Sequence, residues 1–150
     1  VRFRNHNVRL VCPALEETSP DIERNFAFGL LLGALNNLLD NAFYWLQVRW
    51  PNYQSEARRE IYINIEKDFA GGPAIIVADN GTGLQDDPER LTRPFFSRRP
   101  DGMGVGLYYT NMVMELNGGR LAFPDADEAN VPDGFDGAVL ALIFGKGDKH

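Results

Sequence analysis

The sequence has a single cysteine, Cys12, in 150 residues. An internal disulfide is thereby excluded, and a reducing, cytoplasmic compartment is expected. With only two histidines, no Cys/His cluster has the spacing of a zinc site. Long apolar runs are missing too. The nearest, Phe26 to Leu35, falls short of the roughly 18 residues that span a bilayer and leads into asparagines. No signal peptide is visible, and no membrane contact by this domain is expected. Positive charge is in deficit: 15 Lys and Arg against 21 Asp and Glu give a net charge of −6. A nucleic-acid surface needs a basic face, so no nucleic-acid partner is expected. A small basic pocket for a phosphorylated ligand stays open. Repeats, low-complexity tracts and internal linkers are absent as well.

What is present is the composition of a packed core, 44% apolar with ten Phe, which excludes a disordered chain. The length suits one domain, residues 1–150. Because the chain starts at Val1 and not at Met, it is expected to be a fragment of a longer protein. Arg2 to Val11 reads as extended. Asp21 is a plausible N-cap for a helix over Ile22 to Gln47, closed by Pro51. Phe28, Leu32, Leu35, Leu39, Ala42 and Leu46 lie opposite Asn37 at helical spacing and form the expected core stripe. Glu60 to Asp68 alternates as a half-buried strand, with Ile61, Ile63 and Ile65 on one face. Gly71, Gly72 and Pro73 turn it into a second strand, Ala74 to Asp79. Gln85 to Gly104 is irregular and rich in Pro, Asp and Arg, the length of a functional loop. A second helix spans Val105 to Leu116 and stops at Gly118 and Gly119. Arg120 to Phe123 and Ala138 to Phe144 read as two further strands. The acidic Pro124 to Asp136 between them is expected to be a solvated loop. The predicted fold is α+β: a two-layer sandwich, a mixed and mostly antiparallel sheet with helices on one face.

Three segments stand out chemically. IIVADNGTGL, Ile75 to Leu84, ends a buried strand on a lone carboxylate followed by two glycines. A carboxylate there accepts hydrogen bonds strongly, and adenine offers an amino group as donor. Gly81 and Gly83 let the backbone turn and let a flat ring approach. Read alone, Asp-Asn-Gly is also ordinary turn chemistry. Asn37 and Asn41 share a helix face at i and i+4, continued by Tyr44. Two neutral amides beside a cavity suit Mg²⁺, which takes few protein ligands plus waters and phosphates; an isolated pair also suits a solvated face. DGMGVGL, Asp101 to Leu107, places three glycines directly before a helix, where exposed amides and the helix dipole favour an anion. Arg93, Arg98 and Arg99 lie just upstream and can bond phosphate. The spacing fits neither the dinucleotide fingerprint nor a P-loop.

In this order the three segments resemble the GHKL superfamily of ATP-binding domains: gyrase, ninety-kilodalton heat-shock chaperones, MutL-type repair proteins and sensor histidine kinases. NNLLDNA (Asn36 to Ala42) is similar to the N box and DNGTGL (Asp79 to Leu84) to the G1 box. RPFFSRRPDGMGVGL (Arg93 to Leu107) is similar to the joined F and G2 boxes. The resemblance covers roughly residues 22 to 144 and implies a Bergerat fold with ATP and Mg²⁺ as cofactors. It implies that Asp79 bonds the adenine amino group and Asn41 binds Mg²⁺. Asn37, Arg98 and Arg99 would join Asn41 in catalysis. The implied nucleotide contacts are Asn37, Asn41, Asp79, Gly81, Gly83, Leu84, Arg98, Gly102, Met103, Gly104, Val105, Gly106 and Leu107. Phe95 and Phe96 would anchor the lid by packing in the core.

Hydrolysing members of the superfamily carry a glutamate where this chain has Asn37, an amide that cannot take a proton from water. The asparagine form is like that of histidine kinases. The implied function is therefore transfer of the γ-phosphoryl group to a histidine outside this fragment, on a phosphoacceptor domain, with a response regulator as a further partner. His6 and His150 lack the helical setting of an acceptor. Two departures from the kinase pattern are Tyr44, where a cation near the phosphates is usual, and Gly137-Ala138, where a hydroxyl usually follows the glycine. They keep a second reading open, an ATP-gated conformational switch or weak ATPase without kinase activity.

Overall fold

The computed structural model of the chain describes residues 8–13, 26–51, 59–96 and 106–145. Among them the elements run β1 (Val8–Val11), α1 (Phe28–Arg49), β2 (Arg59–Phe69), β3 (Gly72–Asp79), α2 (Pro88–Leu91), α3 (Gly106–Leu116), β4 (Arg120–Ala122) and β5 (Val139–Ile143). The five strands form one sheet in the order β1-β2-β3-β5-β4. Only β1 and β2 run parallel; the other pairs are antiparallel. The expected α+β architecture is observed. Ala70 and Gly71, both at positive φ, make the tight turn between β2 and β3. Within the irregular segment the short α2 is capped by Asp87, whose Oδ1 accepts from the Arg90 amide at 2.9 Å. The predicted N-cap Asp21 lies outside the described residues.

Helices α1 and α3 pack beside each other on one face of the sheet. Ala34, Leu38, Ala42 and Leu46 of α1 meet Ile61, Val77, Leu140 and Leu142 of the sheet in the main core. Two of the six residues of the predicted stripe are not in it. Phe28 is 77% exposed and Leu32 is 48% exposed, while Leu35 and Leu39 pack at the core margin. The buried sector is rotated toward Asn37, because α1 buries itself against α3 as well as the sheet. The space above Gly33, for instance, is closed by the Tyr109 ring at 3.5 Å.

The other sheet face is also covered. Tyr62, Ile76, Ala78, Val139, Ala141 and Ile143 form a second apolar cluster with Ala129 and Phe135. The Tyr62 and Phe135 rings lie 5.4 Å apart. The segment 124–136, expected to be solvated, therefore roofs the sheet with its few apolar side chains. Its acids, Asp125, Asp127, Glu128 and Asp133, stay exposed. With both faces covered, β3 and β5 carry continuous apolar runs where a half-exposed strand would alternate. Leu38→Ala is expected to cost about 2–5 kcal/mol in urea unfolding. Phe28→Ala is expected to change stability by no more than about 0.5 kcal/mol. Equal losses would contradict the rotated stripe.

Candidate functional site

Asp79, the last residue of β3, is 1% exposed. Its Oδ1 accepts from the Gly81 amide at 2.8 Å and from the Ala138 amide at 3.3 Å. The two donors come from different segments, the turn after β3 and the entry to β5. Among the described residues both bonds fall on one oxygen, so Oδ2 is left for a donor on a ligand. Burial pushes the carboxyl up to about 7; the two amides pull against that rise, Asp136 adds to it and Arg49 opposes it.

The glycines around this carboxylate have distinct reasons. A Cβ on Gly81 would lie 2.7 Å from the Trp45 carbonyl carbon, so Gly81 is set by the close approach of the turn to α1. That differs from the expected reason, the approach of a ring. A Cβ on Gly137 would come 2.3 Å from Asp79 Oδ1. Only glycine lets the β5 entry reach the carboxylate. The missing hydroxyl at Ala138 does not remove the amide, which still bonds Asp79.

Along α1 the positions 37, 41, 45 and 49 recur every four residues and form one winding ridge about 18 Å long. At one end Asn37 Nδ2 donates to the Gly106 carbonyl at 3.3 Å and approaches Thr110 Oγ1 at 3.5 Å. Thr110 is fully buried and donates to the same Gly106 carbonyl at 2.8 Å. Asn37 is thus joined to the first turn of α3, where the glycine-rich segment enters the helix. Its Nδ2 is occupied and its Oδ1 remains for a cation or a water. Half-buried Asn41 follows one turn on. Among the described residues no group of three His, Cys, Asp or Glu could hold a metal. Two amide oxygens in that setting fit Mg²⁺ carried chiefly by phosphates and water, and they do not suit a metal needing a full protein cage.

At the other end of the ridge Arg49 Nη1 donates to the Asn80 carbonyl at 2.9 Å, the Gly81 carbonyl at 3.2 Å and Asp136 Oδ1 at 2.8 Å. Its guanidinium lies 4.7 Å from the Trp50 ring centre. Trp50 Nε1 donates to the Asn80 carbonyl at 3.0 Å, and Asn80 Oδ1 accepts from the Glu60 amide at 2.9 Å. Arg49, Trp50, Thr110 and Asp136 were not singled out from the sequence for this site. Their types carry no motif, and only the close approach of α1 to the turn brings three of them together.

Leu84, Gly106 and Leu107 are placed by the structure: Leu84 half-buried beyond the turn, the other two opening α3. Gly83 takes φ +83. A cleft of about 250 Å³, walled by Leu84, Phe123, Phe135 and Gly137, adjoins the Asp79 clamp without including Asp79. Arg98, Arg99, Gly102, Met103, Gly104 and Val105 lie outside the described residues, as do His6 and His150. One expectation fails. Phe95 is 77% exposed, at φ +64, on the tip of a turn closed by the Phe96 amide and the Arg93 carbonyl. Phe96 alone of the pair is half-buried.

A buried strand-end carboxylate, an amide-bearing helix and a glycine-rich helix entry on one α+β sandwich define a nucleotide-binding class of domain. The chain matches the model of the histidine kinase-, DNA gyrase B- and HSP90-like ATPase family over residues 30–140. It belongs to that family, and its ligand class is ATP. It is 32% identical to nitrogen regulation protein NtrY of Azorhizobium caulinodans over 114 residues, 75% of this chain and 14% of that protein. It is 44% identical to sensor protein FixL of Bradyrhizobium diazoefficiens over 65 residues, 43% of this chain and 13% of that protein. The chain thus spans about one seventh of the length of these relatives. Among solved structures, the catalytic domain of histidine kinase ThkA superposes with a TM-score of 0.67 at 20% identity, covering 93% of this chain and 80% of that one. Full-length ShkA in complex with AMPPNP gives a TM-score of 0.62 at 16% identity, covering 98% and 28%. Both share the fold.

An acid whose folded value, about 7, exceeds its ordinary 3.8 favours folding only while protonated. Its contribution is fully present below about pH 4 and lost as pH rises through about 7. Asp79→Asn keeps an oxygen for both amides and carries no charge. Without ligand it is expected to be more stable than the parent at pH 8, by about 1–4 kcal/mol, and equal near pH 4. Thermal unfolding at both pH values checks this.

Proposed function

We propose that this chain is the ATP–Mg²⁺-binding catalytic domain of a sensor-histidine-kinase-like protein, and that it transfers the γ-phosphoryl group to a histidine outside these 150 residues. The observation that carries the reading is the Asp79 clamp. A carboxylate held in place by two amides, with one oxygen left over, suits the adenine amino group. Asn37 and Asn41 lie along the same helix, where the phosphates of a nucleotide anchored at Asp79 would reach. The glycines 102, 104 and 106 and the arginines 98 and 99 are assigned to the phosphates from the family pattern. Leu84, Met103, Val105 and Leu107 are assigned as apolar contacts of the nucleotide on the same basis. Asn41, with Asn37 beside it, would hold Mg²⁺, which when bound would supply charge neutralisation on the phosphates.

An imidazole is itself the nucleophile, so transfer to histidine needs no base to activate water. Asn37 is an amide already bonded to α3, and it supplies none. Catalysis of transfer then reduces to positioning and charge stabilisation, with the acceptor nitrogen attacking the γ-phosphorus and ADP leaving. The chain is read as one domain of a longer cytoplasmic assembly, consistent with its share of NtrY's length. Its partners are then a phosphoacceptor histidine domain and, through it, a response regulator. Among the described residues no helix is long and apolar enough to cross a membrane.

The ATP-gated switch stands as a second reading, favoured by the Asn37–Gly106 bond that couples α1 to the root of the glycine-rich segment. Incubation of the parent protein with γ-labelled ATP separates the two. Acid-labile, base-stable label on protein is expected for the kinase; nucleotide binding without label selects the switch. In calorimetry Asp79→Ala is expected to weaken Mg²⁺–ATP by about 2 kcal/mol or more. Asn41→Ala is expected to abolish the Mg²⁺ dependence while keeping affinity for adenosine. Unchanged binding by Asp79→Ala would refute the adenine assignment.

A further inference from the structure

The two segments that meet at Asp79 are tied together a second time. From inside, Asp79 Oδ1 receives the Gly81 amide of the turn and the Ala138 amide of the β5 entry. From outside, Arg49 Nη1 donates to the Asn80 and Gly81 carbonyls of the same turn and to Asp136, two residues before Ala138. The Asn80–Gly81 peptide therefore serves both ties, its N–H facing the carboxylate and its C=O facing the guanidinium. Arg49 is braced in turn. It lies against the Trp50 ring, and the Trp50 indole shares the Asn80 carbonyl with it. The Trp50 carbonyl accepts from Arg59 Nε at 3.0 Å, and Arg59 is buried. A side chain held by three acceptors and a stacking face is fixed in direction as well as position.

We propose that Arg49 is a positioning residue for the purine clamp: with Asp136 it fixes the spacing between the turn and the β5 entry, and so the aim of the Asp79 carboxylate. The inference rests on the reading of Asp79 as the adenine acceptor. Arg49 touches no reacting atom and acts through Asp79. The spacing matters because the carboxylate has no slack. A Cβ at Gly137 would already collide with Asp79 Oδ1, and the Ala138 bond is already 3.3 Å long, so a small opening of the β5 entry breaks it. The pair also has an electrostatic side. Arg49 faces Asp79 from α1 and Asp136 faces it from the segment before β5; among the described residues these two are the charged groups acting on it, with opposite sign. Arg49 in turn holds the Asp136 carboxyl below the usual carboxylate range by hydrogen bonding to it.

The test is calorimetric titration of the whole chain with Mg²⁺–ADP from pH 5.5 to 8.5, for wild type, Arg49→Met, Arg49→Lys and Asp136→Asn. Wild type is expected to lose affinity below about pH 7, approaching tenfold per pH unit, as the acceptor takes a proton. Arg49→Met is expected to move that midpoint up and to weaken binding at pH 8 about fivefold or more. Asp136→Asn is expected to move the midpoint down. Arg49→Lys, a single point charge that cannot reach all three acceptors, is expected to keep the wild-type midpoint but not the affinity. Opposite midpoint shifts for the two partners are something mere loosening of the fold would not produce. Should Arg49→Met fail to fold, exposed Asp136→Asn and Arg49→Lys still decide. Variants that bind as wild type does, or that shift the midpoint in one common direction, overturn the inference alone. A wild type that binds no ADP at any pH overturns the adenine reading itself, and the inference with it.

Discussion

Asp79 is a carboxylate buried at the end of a central strand, and two backbone amides from separate segments hold it there. Burial of a charge in that position is unfavourable, and burial accordingly pushes its pKa up toward neutrality. A chain selected for stability alone would place an amide or an apolar group at this point. The cost is intelligible if a ligand completes the hydrogen bonding that the protein leaves open at Oδ2. Perturbed groups of this kind cluster at functional sites for that reason. Much of the local geometry follows from serving this one group. Gly137 is bare so that β5 can approach it, and Gly81 is bare so that the turn can lie on α1.

Helix α1 connects that clamp to the rest of the site. Its ridge of Asn37, Asn41, Trp45 and Arg49 runs from the first turn of α3 to the turn after β3, about 18 Å. Each end is bonded to a different loop. The buried face of the same helix holds the ridge rigid through Leu38, Ala42 and Leu46. Rigid elements place functional groups more accurately than loops do. Here one helix places groups at both ends of the ridge, Asn37 against Gly106 at one and Arg49 against Asn80 at the other. The sheet beneath is covered on both faces, so β3 has little freedom to shift its terminal carboxylate.

The fold was legible because its signals are local. Alternation in β2, the glycine turn into β3 and the glycine stop after α3 each act within a few residues. The motifs were legible because carboxylate, amides and glycines recur in a fixed order along the chain. What escaped depends on contacts between distant segments. The α1 stripe was misjudged at Phe28 and Leu32, since periodicity gives a face but not the neighbour that buries it. Segment 124–136 looked solvated because its acids outnumber the few side chains, Ala129 and Phe135 among them, that roof the sheet. Phe95 looked like an anchor by type, yet the turn turns it outward. Arg49 and Asp136 are 87 residues apart and belong to no motif.

The account depends on Asp79 titrating where it does and on a purine stopping that titration. Amide proton NMR of Gly81 and Ala138 reports both, since each N–H points at the same carboxylate oxygen. Without ligand, the two resonances are expected to titrate together near pH 7. With saturating adenosine or ADP, they are expected to stop titrating across that range. Resonances that move only in the ordinary carboxylate range, or that titrate identically with and without the nucleoside, would contradict the account.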